Sequence, residues 1–482
     1  MDITGALKPY ANPLDDADAV CLMSATALVA AFRAGQLSPV EAARAALARA
    51  EQIQPQFNAF TLIDHEGALD AARQSEARWR AGAPLGPLDG VPATIKDIVW
   101  VAGWQARYGS LAPSLTPTED APAVALLRAG GCVLFAQTAT PEFGWKALTD
   151  SPASGITRNP WNAALTPGGS SGGAAVAAAT GAGALHLGSD GGGSIRIPAA
   201  FTGIVGHKPT FGMVPAYPAS AFGTVAHIGP MTRTVEDAAL MLDAMSGRDL
   251  RDWYQNTQGY APSAGQAPRD LAGRRIGVWA EPAQGVVDKV IGAAFAAVLA
   301  RLEDAGAVLE PVRLPGEDLL GMFQVLWFAG AAARLRAVPE SAHGAIDPGF
   351  RAIAAIGAGY SAADYIATSG RRAAYGSAFD ALMTRFDALV SPATAVLPFA
   401  TGLEVPPDRG MTRWTEWAGF SFPVNLAQAP ACVVPCGMSP DGLPIGVQLV
   451  GARGDDRTVL GLAAALAPQG ALPANSIPTG AL

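Results

Sequence analysis

Pro167-Gly168-Gly169-Ser170-Ser171-Gly172-Gly173 and, after a small apolar run, Gly188-Ser189-Asp190-Gly191-Gly192-Gly193-Ser194-Ile195-Arg196 are two glycine-wrapped serine loops from which the rest of the chain can be read. Ser170 and Ser194 lie 24 positions apart. Glycine lets the main chain approach a substrate closely, so Gly191, Gly192 and Gly193 ahead of Ser194 can aim several N–H groups at one point. Such a cluster serves as an oxyanion hole in acyl transfer, with Ser194 as nucleophile and Ser170 as a polar relay. A Gly/Ser run is more commonly a plain loop. The context favours chemistry: Ala174 to Thr180 predicts a helix opening directly from the first loop, which turns its free N–H groups and positive dipole end toward that loop. Neither loop has the Gly-Lys-Ser/Thr ending of a phosphate-binding loop, which argues against a nucleotide.

Upstream, Gly86-Pro87-Leu88-Asp89-Gly90-Val91-Pro92 is a rigid turn into Ala93-Thr94-Ile95-Lys96-Asp97-Ile98-Val99, a buried strand with a lysine in it. The chain has only five lysines against 28 arginines, so one inside an apolar strand is conspicuous. The ordinary reading is an edge or snorkelling residue. If buried, its ammonium form is disfavoured, its pKa falls and it becomes a general base.

The remaining chain bounds the fold. Its 482 residues are 50% hydrophobic and 15% charged, which predicts a substantial core. The net charge of −8 is spread without long acidic or basic blocks, which argues against nucleic acid or an anionic membrane as partner. Residues 1–19 are acidic and lack an apolar signal-peptide core, so a cytoplasmic protein is expected. The longest apolar stretches are broken by glycines and too short to span a bilayer. Cys21, Cys132, Cys432 and Cys436 form no CxxC pair and read as buried reduced thiols. Five histidines without an HExxH motif give a metal site little support.

Residues 24–83 read as a helical collar with a capping box at Ser38-Pro39-Val40-Glu41. A helix from Asp120 to Gly130 followed by a strand at 132–137 is the alternation of an α/β sheet. Pro141-Glu142-Phe143-Gly144-Trp145 sits in a loop ahead of the glycine loops, and its aromatics read equally as simple packing or as a pocket wall. Residues 207–232 read as turn-rich, Thr234 as the cap of a helix to Met245, and 251–269 as a linker. Strands are expected at 275–279, 308–312, 388–390, 431–434 and 445–450, with Asp441-Gly442 turning between the last two. A helix is expected at 284–305 and a helical region from 317 to 386.

The two serine loops, a lysine in a GVPxxIKD strand, Thr157-Arg158-Asn159-Pro160-Trp161-Asn162, His207 to Gly212, Gly229 to Thr234 and Gly442 to Gly451 together resemble the amidase signature family of serine hydrolases. The likeness covers about residues 80–245 and 425–470, leaving 250–425 as a variable, substrate-shaping region. It implies one α/β domain over 1–482, a mixed sheet flanked by helices on both faces. It makes Ser194 the nucleophile, Ser170 the bridging serine after a cis peptide bond from Gly169, and Lys96 the base. Gly191, Gly192, Gly193 and Ser194 map onto the oxyanion hole, and Ser171, Asp190 and Arg196 onto supporting positions.

The chemistry implied is proton withdrawal from Ser194 through Ser170 to neutral Lys96, acyl-enzyme formation and hydrolysis, with no metal or organic cofactor. The expected partner is a small-molecule amide, ester or carbamate, and the expected assembly a monomer or homodimer. Phe143, Gly144 and Trp145, with Trp414, Trp417 and Phe420, make an apolar pocket suited to aryl or alkyl substrates, including anilides, aryl esters and urethanes. Two readings compete. A glutaminase subunit of a tRNA-dependent amidotransferase shares the triad but needs a charged anchor for its substrate. An α/β-hydrolase reading rests on Gly168 to Gly172 matching G-x-S-x-G, with His207, His227 or His343 as base, but residues 159–167 lack the preceding strand that motif needs.

Overall fold

Uninterrupted burial of Pro92–Lys96, Val133–Thr138 and Pro444–Val450 marks strands covered on both faces, and in the computed structural model they lie inside one sheet. The structure describes residues 17–255, 267 and 269–467. The acidic segment 1–16 and most of the expected linker 251–269 lie outside the described residues.

The sheet has 11 strands. From edge to edge they are Phe60–Ile63, Val133–Thr138, Pro92–Lys96, Leu185–Asp190, His227–Thr232, Val205–Lys208, Ala431–Met438, Pro444–Val450, Ala388–Pro392, Arg275–Val278 and Val308–Pro311. Pairing is parallel from Val133–Thr138 through Pro92–Lys96 to Leu185–Asp190, antiparallel across the centre, and parallel again at the far edge. Helices cover both faces, giving the expected mixed α/β architecture. The capping box at Ser38 and Glu41 closes the N-terminus of Pro39–Phe57, and Thr234 caps Val235–Met245. Among the described residues no helix is long and apolar enough to cross a membrane.

Four strands of this sheet depart from the sequence expectation. Phe60–Ile63 interrupts the helical collar, and Leu185–Asp190, Val205–Lys208 and His227–Thr232 occupy the stretch read as loops and turns. Their glycines misled the reading because they serve close packing. A Cβ at Gly188 would sit 2.7 Å from Met231 Sδ, and one at Gly229 would sit 2.3 Å from the His207 carbonyl oxygen. In such positions glycine marks the approach of a second element to a strand rather than a chain reversal.

The helix Gly172–Thr180 is buried on every side, as an apolar helix without a polar face must be. It starts at Ser171, so its N-terminus and the end of the Pro92–Lys96 strand meet beneath the serine loops.

Candidate functional site

Lys96 ends its strand with no exposed surface. Its Nζ lies 2.6 Å from Ser170 Oγ, 2.8 Å from Ser171 Oγ and 3.0 Å from Ser189 Oγ. Burial holds its pKa well below the ordinary lysine value; the charge of Asp190 opposes this more weakly. A neutral amine has two N–H donors and one lone pair. Ser171 donates its hydroxyl proton to the Ser189 carbonyl at 3.1 Å, so toward Lys96 it can only accept. The lone pair is thereby left for the hydroxyl of Ser170 or Ser189. Sequence reasoning gave Ser189 no role; its place two residues after Leu187 on one strand face was the available signal.

The peptide bond from Gly169 to Ser170 is cis. The Ser171 amide donates to the Ser194 carbonyl at 3.1 Å, which joins the two serine loops. Ser170 and Ser194 are buried, and among the described residues Ser194 Oγ makes no hydrogen bond. The first leg of a lysine-to-serine relay is therefore closed and the second is open, as is common where the substrate completes the geometry.

Asp190 shapes the Ser194 loop. Its carboxylate accepts the amides of Gly193 at 2.8 Å and Ile195 at 3.1 Å and pairs with Arg196 Nε at 2.9 Å. Burial alone would lift this carboxyl, but the charge and hydrogen bonds of Arg196, with Lys208 and Asn425, hold it well below the usual carboxylate range. Arg196 also donates to Gln448 Oε1 at 2.7 Å, the Ser421 carbonyl at 3.0 Å and Asn425 Oδ1 at 2.6 Å. Asn425, on the short helix Phe422–Leu426, and Gln448, on the strand Pro444–Val450, thus tie the late part of the chain to the serine loop, a role invisible in their local sequence.

One expectation changes. The Gly193 amide is already engaged by Asp190, so it is not a free oxyanion donor. Among the described residues no acceptor engages the amides of Gly191, Gly192 and Ser194.

Gly144, with φ of +70°, stands against Ser170: a Cβ there would lie 3.4 Å from Ser170 Oγ. Phe143 beside it also adopts a positive φ, 54°. Trp145 differs from its expected place. Its ring is 1% exposed and packed against Gly349, where a Cβ would meet it at 2.7 Å, so it fills the core behind the loop. The surface facing the oxyanion loop comes from elsewhere. A Cβ on Gly191 would be 2.6 Å from the Trp327 ring, and one on Gly192 would be 2.7 Å from Phe323 and 2.8 Å from Trp414. Phe323 and Trp327 are one turn apart on the helix Leu319–Arg336 and were not singled out in the sequence. Their i, i+4 spacing was the signal that could have found them. Of the other expected pocket rings, Trp417 stacks on Phe201 and Phe420 meets Trp279 edge-on.

The histidines of the α/β-hydrolase reading stand elsewhere. His207 pairs with Asp456, His227 contacts the carbonyls of Asp190 and Val225, and His343 that of Val338. Among the described residues no cluster of three or more His, Cys, Asp or Glu could hold a metal ion.

A model of the family described as Amidase matches residues 41–460. The chain is 36% identical to a glutamyl-tRNA(Gln) amidotransferase subunit from Symbiobacterium thermophilum, over 92% of this chain and 96% of that protein. It is 34% identical to an acylamidase of Rhodococcus erythropolis, over 92% and 94% respectively. The crystal structure of a bacterial aryl acylamidase of the amidase signature family superposes with a TM-score of 0.85 at 26% identity, covering 92% of this chain and 96% of that one.

Proposed function

This chain belongs to the amidase family and is a C–N hydrolase, and on that premise we propose that it cleaves neutral amides bearing aryl or alkyl groups through an acyl-enzyme on Ser194. The observation that carries the reading is a fully buried lysine, its pKa held well below the ordinary lysine value by desolvation, 2.6 Å from the hydroxyl of Ser170. Neutral Lys96 takes a proton from Ser170 as Ser170 takes one from Ser194. The Ser194 oxygen adds to the amide carbonyl, and the amides of Gly191, Gly192 and Ser194 receive the developing negative charge. Ser170 returns a proton to the departing nitrogen, and water cleaves the ester along the same relay. Ser171 and the Asp190–Arg196 pair hold these groups in place. Aryl esters and carbamates present the same carbonyl geometry and are proposed as side substrates.

The names of the amidotransferase relatives favour a second reading, a glutaminase that works inside a multisubunit complex. The purified protein assayed on p-nitroanilides, p-nitrophenyl esters, aryl carbamates, primary amides and L-glutamine separates the two. Turnover of the anilides, abolished in Ser194→Ala together with fluorophosphonate labelling, supports the amidase. Turnover of L-glutamine alone would replace it with the glutaminase.

A further inference from the structure

Arg334 lies on the helix Leu319–Arg336, two turns beyond Trp327 and so on the same face of it. Its guanidinium carbon stands 4.5 Å from the centre of the Phe143 ring and 4.9 Å from that of Tyr108. Both rings belong to the catalytic neighbourhood. Tyr108 donates its amide to the carbonyl of Asp97, the residue after Lys96, and the Phe143 amide donates to the Tyr108 carbonyl at 2.7 Å. Phe143 immediately precedes Gly144, which faces Ser170.

Two other arginines near this site, the buried Arg196 and the half-buried Arg372, have their donors filled. Arg196 is held by Asp190, Asn425 and Gln448, and Arg372 by the carbonyls of Thr224, Leu426 and Asn425. The Arg334 guanidinium has no hydrogen bond or ion pair among the described residues, although it is only partly exposed. The plain alternative is a solvated cation resting on two rings. Against it stands the cost of withdrawing a guanidinium partly from water without an acceptor, which the contacts with two ring faces offset only in part. Burial accordingly lowers its pKa from the ordinary arginine value. A planar fork anchored on ring faces leaves its N–H edge open for bidentate capture of a carboxylate.

We infer that Arg334 is a specificity-determining residue that binds a carboxylate on the amine half of the substrate. The inference rests on the hydrolase reading above. The amine half is indicated because the Phe143-Gly144 loop abuts Ser170, the group that delivers the proton to the departing nitrogen. Two helical turns from Trp327 to Arg334 span on the order of 10 Å, the reach of an N-acylated aminobenzoate or a longer N-acyl amino acid. Hydrolysis then adds the elements of water across the C–N bond, releasing a carboxylic acid and an amino-carboxylate. The scissile amide stays neutral and the charge sits at the far end.

The test compares 4-acetamidobenzoate with its methyl ester as substrates for the wild type, Arg334→Met and Arg334→Lys. The expected result is a wild-type preference for the free carboxylate, with the carboxylate-to-ester ratio of kcat/KM at amide cleavage falling about 10- to 100-fold in Arg334→Met. Arg334→Lys should regain part of it. A ratio within about twofold of wild type in Arg334→Met overturns the inference while leaving the hydrolase reading intact. Calorimetric titration of 4-aminobenzoate and aniline into Ser194→Ala protein, with and without Arg334→Met, supplies a readout independent of turnover. Should wild type hydrolyse nothing, the hydrolase reading fails, and loss of aminobenzoate binding on removing Arg334 still sustains the carboxylate site; unchanged binding removes it.

Discussion

Around Lys96 the partners are hydroxyls at 2.6 to 3.0 Å, whereas the surface facing Gly191 and Gly192 is made of rings whose centres lie 3.8 to 5.9 Å apart. The first region is held by directional bonds, each with a defined donor and acceptor. The second is held by ring contacts between Phe222, Phe323, Trp327 and Trp414, drawn from three separate segments. Hydrogen bonds fix a reacting atom to within tenths of an ångström, while apolar contact tolerates exchange of one shape for another. The difference teaches that chemistry and selectivity can vary independently here, with the Asp190–Arg196 pair as the joint between them.

The largest effect that could break this division is at Ser194. Ser194→Ala should lower amide turnover by a factor on the order of 10⁴ to 10⁶, since removing one member of a cooperative unit removes nearly all its catalysis. Thermal unfolding should be unchanged, because one hydroxyl beside three glycines contributes little packing. Fluorophosphonate labelling that persisted in the variant would move the nucleophile to another serine.

At Lys96 the effect should be smaller and depend on the leaving group. Lys96→Ala is expected to cost a factor on the order of 10² to 10⁴ on anilides and less on p-nitrophenyl esters, whose leaving group needs no proton. Only the neutral amine can take the Ser170 proton, so wild-type kcat/KM should fall as pH drops through the Lys96 pKa, which burial sets below the ordinary lysine value. Burial also pushes the neighbouring Asp97 carboxyl up to about 7. The profile of Asp97→Asn therefore matters: an acid limb that persists there belongs to Lys96, and one that disappears belongs to Asp97.

The joint itself is open to test by stability. Asp190→Asn removes the counter-charge of a fully buried guanidinium and should destabilise the fold by about 3 to 5 kcal/mol, read from the urea midpoint. A loss under about 1 kcal/mol would mean that Gln448, Asn425 and the Ser421 carbonyl suffice to hold Arg196.

Legibility in the sequence follows the same division. Lys96, Ser170 and Ser194 stand in short runs whose residue types already demand the chemistry, and the strand that ends at Lys96 announces itself by its apolar stretch. Leu185–Asp190 and His227–Thr232 were hidden because Gly188, Gly229 and Pro230, which read as turn residues, sit inside strands where a neighbouring side chain or carbonyl comes too close for a Cβ at either glycine. Ser189, Asn425 and Gln448 were missed because their partners lie far off in the chain: Gln448 is 252 residues from Arg196. Trp145 was misplaced for the opposite reason. Adjacency to Gly144 suggested a shared pocket, but the positive φ at Phe143 and Gly144 redirects the chain and sends the indole into the core.

That reassignment yields the smallest and sharpest prediction. If selectivity belongs to the wall over the oxyanion loop, Trp327→Phe should alter it, because the shorter ring withdraws from Gly191 and gives up the 3.0 Å hydrogen bond from Nε1 to the Trp145 carbonyl. The preference for 4-nitroacetanilide over acetamide should then fall by about 2- to 10-fold, the worth of an aromatic contact beyond its area. Trp145→Phe is the companion. Its indole packs on Gly349 rather than toward Gly191, so this variant should lower the melting temperature and leave the substrate ratio as in wild type. The two ratios measured side by side decide the matter: a shift in Trp145→Phe equal to that in Trp327→Phe would mean that the core behind the loop, and not the wall before it, sets the shape of the pocket.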